Sequence, residues 1–411
     1  MEKVTKKDIE AYAMLIAKAG GAVKKGQYVL IKADVELQEF AASVAKACYK
    51  LGAKRVTYLW SSALTDRIDY KYAKTKDLGT YTEEEMGLEQ YRTNKLPVLI
   101  YLDGEDPDGL KGVKADKLAG VKALRYSQAK DLIIQRENKY QWVIAGAPTA
   151  KWAKKVFPNL PKGQAIKALW AAILKTARAE HGEGIENWEK HDAILKEKCA
   201  KLNAMNLRKL HYVSSNGTDL TVGLIPGVKF EGGGEKTIQG TYFQPNIPSE
   251  ECFTSPMKGE AEGVVYSAKP LVYQSQLIDK FWIRFEKGKA VDCHAEVGED
   301  LLRSIFSLDE GSAYLGECAL VPFDSPINDT GLIFYSTLYD ENAACHLALG
   351  RGFTQLYPDF EKYTEAELHS FGINESLSHV DFMIGTRDLS ITGIDENGKE
   401  IAIFRNGNFA F

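Results

Sequence analysis

Residues 28–60 read YVLIKADVELQEFAASVAKACYKLGAKRVTYLW, a strand-like run, a helical pattern and a second strand-like run in succession. The first run, Tyr28 to Ala33, is close to continuously apolar. A half-exposed strand alternates, whereas a strand buried on both faces does not, and such strands belong to parallel sheets covered by helices. LQEFAASVAKACYKLG (37–52) repeats apolar residues at helical intervals and meets a stop at Gly52, after which RVTYLW (55–60) returns to strand character. Working outward, DIEAYAMLIAKAG (8–20) is a helical pattern, and PVLIYLDG (97–104) and YQWVIAGAP (140–148) are two more apolar runs separated by a long mixed segment. Together they predict an α/β amino-terminal domain built on a parallel sheet. No GxGxxG or P-loop follows any of these strands, so the fold class does not bring a nucleotide with it.

AIKALWAAILKTARAE (165–180) and NWEKHDAILKEKCAKLNAM (187–205) are helical patterns that close this part. From His211 onward the chain changes to short alternating segments. HYVSSNGTDLTVGL, with Asn216-Gly217 as a hairpin turn, and FWIRFEKGKAVDCHAEV read as antiparallel strands. Helices are expected near Glu299 to Phe306 and near Asn342 to Leu349. The expected organisation is an α/β amino-terminal domain over 1–208 and a β-rich α+β catalytic domain over 209–411, which suits a chain of 411 residues. Gly232-Gly233-Gly234 reads as a flexible turn, since no Lys-Ser or Lys-Thr and helix follow it.

With 52 Lys and Arg against 56 Asp and Glu, the net charge of -4 offers no general attraction to nucleic acid or to an anionic membrane. The amino terminus mixes charges into its apolar positions, unlike a secretion signal, and no segment approaches the apolar length of a membrane span. Six cysteines are scattered without CxxC spacing, which fits a reducing cytoplasm better than a disulfide framework or a thiolate zinc site.

Acidic residues and histidines gather between Glu250 and Asp381. SLSHVDFMIG sets His379 and Asp381 two residues apart, which in a strand turns both side chains to one face. They are a metal-ligand pair or the wet face of a half-buried strand. TLYDENAACHLALG places Asp340 and Glu341 at the start of an expected helix and His346 inside it, so Asp340 is a candidate cap. Glu341 and His346 would then stand about 140° apart around the axis, and the helix alone would not bring them to one ion. Glu317 interrupts the apolar run AYLGECALVPF, where a carboxylate is costly unless paired, metal-bound or on an exposed edge. Glu250-Glu251 follows PNIPS in a loop. Glu251, Glu317, Glu341 and Asp381 would carry a charge that two divalent cations balance, and His346 and His379 would add neutral nitrogen donors. Oxygen and imidazole ligands suit zinc, cobalt or manganese.

PNIPSEECFTSP (245–256), LGECALVP (315–322), TLYDENAACHLALG (337–350) and NESLSHVDFMIG (374–385) occur in an order and form that closely resembles the thermophilic-type metalloaminopeptidase family, that of aminopeptidases T and S. The resemblance runs over nearly the whole chain. It implies metal ligands at Glu251, Glu317, Glu341, His346, His379 and Asp381, with Glu317 bridging two divalent ions. A one-residue shift would exchange Glu251 for Glu250. The resemblance also implies a homodimer enclosing a large cavity, and hydrolysis of the first residue from oligopeptides with a free amino terminus. In that chemistry a metal-bridged water attacks the carbonyl, and Glu250 or Glu317 carries the proton to the leaving amine. One position departs from the family, which commonly has a tyrosine where this chain has Phe353, with Tyr357 nearby as a substitute hydroxyl. Two alternatives stand beside this reading: a metal-dependent hydrolase of another small amide or ester, and a metal-stabilised scaffold without catalysis.

Overall fold

The computed structural model describes residues 4–274 and 276–411. The chain divides into two compact units, Met1–Asp192 with Gly233–Pro248, and Ala193–Gly232 with Ser249–Phe411.

In the first unit, the strands Tyr28–Asp34, Arg55–Ser61, Val98–Asp103 and Trp142–Gly146 form a wholly parallel sheet. Its spatial order runs 55–61, 28–34, 98–103, 142–146 and then Asn246–Ile247. Val29, Leu30 and Ile31 are buried to 0, 1 and 0% exposure, as their unbroken apolar run predicts for a strand with neighbours on both sides. The helix Gln38–Lys50 packs Phe40, Ala41, Val44, Ala45, Ala47 and Cys48 inward. The long mixed segment before Trp142 holds a helix of 22 residues, Ala115–Arg136.

The division between the units differs from a break at 208/209. It falls within the helix Gly184–Ala204, and the later segment 233–248 returns to the first unit. The reason is pairing: Asn246–Ile247 adds a parallel strand to Trp142–Gly146. Two residues of strand carry too little pattern for such a return to be seen in the sequence.

The second unit is built on two antiparallel sheets. The larger has nine strands, among them the hairpin Leu207–Val213 and Asp219–Leu224 around Asn216-Gly217, and the hairpin Gln276–Glu286 and Lys289–Val297. The smaller has four, ordered Cys252–Thr254, Leu315–Leu320, His346–Gly350 and His379–Met383. A helix at Glu299–Phe306 lies where its apolar spacing puts it. The expected helix over 342–349 is not formed. A five-residue helix, Thr337–Glu341, ends there, and His346–Gly350 is an interior strand buried at every position. Ala and Leu favour helices in isolation, but hydrogen bonding to strands on both sides overrides that weak preference.

Because Ile31 is fully buried on an interior strand of the parallel sheet, Ile31→Ala should destabilise the first unit by about 2–5 kcal/mol, whereas Val35→Ala, at 47% exposure, should cost little. Chemical denaturation followed by circular dichroism gives both values.

Candidate metal centre

Alternation along the small sheet sorts its side chains into two layers. Cys252, Cys318, Leu320, Leu347 and Phe382 turn to one face, all buried, and Phe382 packs against Phe281 of the larger sheet at 6.0 Å between ring centres. The opposite face carries the acidic and imidazole residues. One cross-strand row on it runs Phe253, Ala319, His346, Met383, the next runs Glu317, Ala348, Asp381, and His379 stands beside Gly350. Glu251 directly precedes the first strand. The acidic and imidazole groups therefore share a face because each lies an even number of residues from its neighbours in the same strand, or opposite them in register.

Ligand atoms of Glu251, Glu317 and His346 lie within 4.8 Å of one another, and so do those of Glu317, His379 and Asp381. Glu317 belongs to both groups. It sits at 4% exposure in an interior strand, which overturns the exposed-edge explanation for a carboxylate in that apolar run. Glu250 and Glu251 are also buried, at 4 and 7%, and are not a surface pair.

Both histidines are oriented in the same way. His346 Nδ1 lies 2.8 Å from the Glu341 carbonyl and His379 Nδ1 lies 2.7 Å from the Arg351 carbonyl. A carbonyl only accepts, so each Nδ1 carries hydrogen and each Nε2 is turned inward. There, His346 Nε2 is 3.4 Å from Glu251 Oε2, and His379 Nε2 is 3.0 Å from Glu317 Oε2 and 3.1 Å from Asp381 Oδ1. Metal-ligating histidines are commonly held by such outer hydrogen bonds. Two glycines make the second contact possible. A Cβ on Gly350, whose φ is +103°, would meet the Ser378 carbonyl at 2.1 Å, and one on Gly316 would meet the Arg351 carbonyl at 2.3 Å.

Three carboxylates at this spacing repel one another. Two like charges about 4 Å apart cost roughly 4 kcal/mol at an effective dielectric near 20. Burial, then Glu317 and Asp381, push Glu251 well above the ordinary carboxylate range. Glu341 is raised by burial and then by Asp381, Glu251 and Glu317. For His379, burial opposes the charge, but Asp381 and Glu317 outweigh it and raise the imidazole well above its usual value. The same imidazole overcomes the burial of Asp381 and brings that carboxyl down to about 2. Asp381 Oδ1 is buried, lies 3.1 Å from His379 Nε2 and makes no hydrogen bond. Inward Nε2 atoms, clustered carboxylates and an orphaned oxygen fit divalent cations.

The remaining predicted residues are placed less centrally. Glu341 ends the short helix and offers its carbonyl to His346, and its carboxylate is outside both ligand groups. Since His346 begins a strand, the 140° separation expected of a helix does not apply. Glu250 donates its backbone N–H to Asn342 Oδ1, and its carboxylate is in neither group. Asp340 is not the residue that precedes the helix. Its Oδ1 accepts the Phe334 N–H at 2.8 Å, and burial raises its carboxyl to about 6. Phe353 lies 5.2 Å from the His379 ring and 5.0 Å from Phe253, while Tyr357 packs in another cluster with Phe371 and Tyr363. Sequence reasoning missed Asn342, Ala348 and the Arg351 carbonyl. Only register and backbone geometry expose them.

The sequence matches the family described as thermophilic metalloprotease (M29) over residues 5–409. It is 40% identical to Aminopeptidase AmpS of Bacillus subtilis over 408 residues, covering 98% of each chain. Aminopeptidase T of Thermus thermophilus is 36% identical over 423 residues, again with 98% of each chain covered. Among solved structures, wild-type AmpT from Thermus thermophilus superposes with a TM-score of 0.89 at 34% identity, over 99% of this chain and 100% of that one. With the family match spanning residues 5–409 and full-length relatives at 36–40% identity, the chain belongs to the thermophilic metalloprotease (M29) family.

Proposed function

We propose that this protein is a two-metal aminopeptidase that removes the first residue from oligopeptides with a free amino terminus. The observation that carries the reading is Glu317, whose carboxylate stands in both ligand groups at once. Glu251 and His346 would complete one ion site and His379 and Asp381 the other, with Glu341 adding the fourth carboxylate from the end of its helix. Zinc, cobalt or manganese suits this donor set. When bound, such ions would lower the pKa of a water between them and polarise the scissile carbonyl.

The chain's own groups supply the rest. A carboxylate that bridges two cations is a weak base, so Glu250, buried beside Glu251 but in neither ligand group, is the residue assigned to carry the proton to the leaving amine. The Nδ1 contacts of His346 and His379 keep both rings from turning away. Phe353 covers the His379 ring with an apolar surface and brings no hydroxyl to the reaction. Ala348 lies between Glu317 and Asp381 in their cross-strand row, and its single methyl group leaves room above the sheet for ions. The same reading carries a homodimer as the assembly and a reducing, cytoplasmic setting, to which six unbridged, buried cysteines are suited. Among the described residues no helix is long and apolar enough to cross a membrane. Neither nucleic acid nor membrane is assigned as a partner.

A chelator should abolish hydrolysis of a free-amine peptide and added divalent metal should restore it, while the acetylated peptide should remain intact throughout. Equal hydrolysis of the two peptides would point to a general amide hydrolase. Glu317→Gln should lose activity and reduce bound metal per chain, and retention of both would remove Glu317 from the bridging position. Ala348→Val keeps a residue suited to strands but places two methyl groups over the row. Metal analysis should find less than the wild-type content, with turnover falling by about tenfold or more; wild-type content would show that the ions lie elsewhere.

A further inference from the structure

Asn342 follows the helix that ends in Glu341, and its side chain is entirely buried. Its amide makes three hydrogen bonds. Oδ1 accepts the Glu250 backbone N–H at 2.8 Å, while Nδ2 donates to the Leu338 carbonyl at 3.0 Å and to Glu341 Oε1 at 3.3 Å. The amide cannot be turned the other way. A backbone N–H needs an acceptor and a carbonyl needs a donor, so the two ends of the side chain are not interchangeable. The bond to Glu250 spans 92 residues of sequence and joins the loop bearing Glu250 and Glu251 to the segment bearing Glu341.

We propose that Asn342 is a positioning residue of the metal centre, holding the Glu250–Glu251 loop and the Glu341 carboxylate in one fixed arrangement. This rests on the two-metal reading above. The amide touches no reacting atom. Its donor fixes one oxygen of Glu341, and its acceptor fixes the backbone of the residue assigned to proton transfer. Few other side chains serve both ends within this space. Aspartate has the same shape and still accepts from Glu250, but it presents an acceptor to Leu338 and a second negative charge to Glu341. Leucine keeps the volume and leaves the Glu250 N–H without its partner, a costly loss in a buried site.

The test is calorimetric titration of manganese or zinc into the metal-depleted wild type, Asn342→Asp and Asn342→Leu, with circular dichroism and thermal unfolding of the same samples. The expected result is a folded Asn342→Asp protein with affinity for at least one ion weakened about tenfold or more, in the range seen when outer-sphere partners of metal ligands are removed. Turnover should fall more than KM rises. In the double variant Glu341→Gln/Asn342→Asp the donor and acceptor exchange ends, so its metal-free unfolding temperature should return toward the wild-type value. Wild-type ion affinity in both folded single variants would overturn the inference. If the single variants fail to fold, recovery of folding in the exchanged pair supports the contact and continued failure refutes it. A wild-type chain that takes up no divalent ion would instead overturn the two-metal reading itself.

Discussion

The repulsion among Glu251, Glu317 and Asp381 on one face of a four-stranded sheet is the constraint to which the surrounding structure answers. Carboxylates forced together out of water are a destabilising feature unless positive charge joins them. Much of the second unit's architecture keeps them there: an interior strand for Glu317 with a strand on either side, a dry apolar layer beneath, and imidazoles locked toward the charges by backbone carbonyls. A fold that needed only stability would be served better by apolar residues at these positions. The arrangement makes sense as a place for cations, and membership of a metalloprotease family agrees with that physical reading.

A sheet suits the task because its period is two. Each ligand-bearing strand gives one layer to chemistry and the other to the core, so Glu317 faces the site while Cys318 faces inward, and Asp381 alternates with Phe382 in the same way. A slip of one residue in any of these strands would bury the wrong partner and dismantle both layers together. Small residues matter as much as the donors. Ala348 leaves space between two carboxylates, Gly316 admits the Arg351 carbonyl that holds His379, and Gly350 admits the Ser378 backbone just before it. Asn342 belongs to the same category of support, acting through the segments it ties and not through its own chemistry.

Much of this was legible in the amino-acid sequence. Nearly continuous apolar runs such as Tyr28 to Ala33 announce strands covered on both faces, and they assemble into a parallel sheet. The two-residue spacing of His379 and Asp381 gives a shared strand face. What could not be read follows from long-range pairing. The segment around His346 has the composition of a helix, and only its place between two other strands makes it one of them. That single error created an apparent conflict between Glu341 and His346 that the structure does not have. Likewise, adjacent glutamates after Pro248 carry no mark of burial until the strand Cys252–Thr254 draws them under cover. Local patterns report the period of a segment, whereas the identity of its neighbours is a property of the whole fold.

A two-metal site on this sheet requires Glu317 to serve two cations at once. Diffraction from crystals of the manganese- or zinc-loaded protein, recorded at the absorption edge of the metal, would locate every bound ion directly. The prediction is two anomalous peaks per chain with the Glu317 carboxylate between them, one beside Glu251 and His346 and the other beside His379 and Asp381. A single peak, or a pair that leaves Glu317 out of contact with either ion, would contradict it.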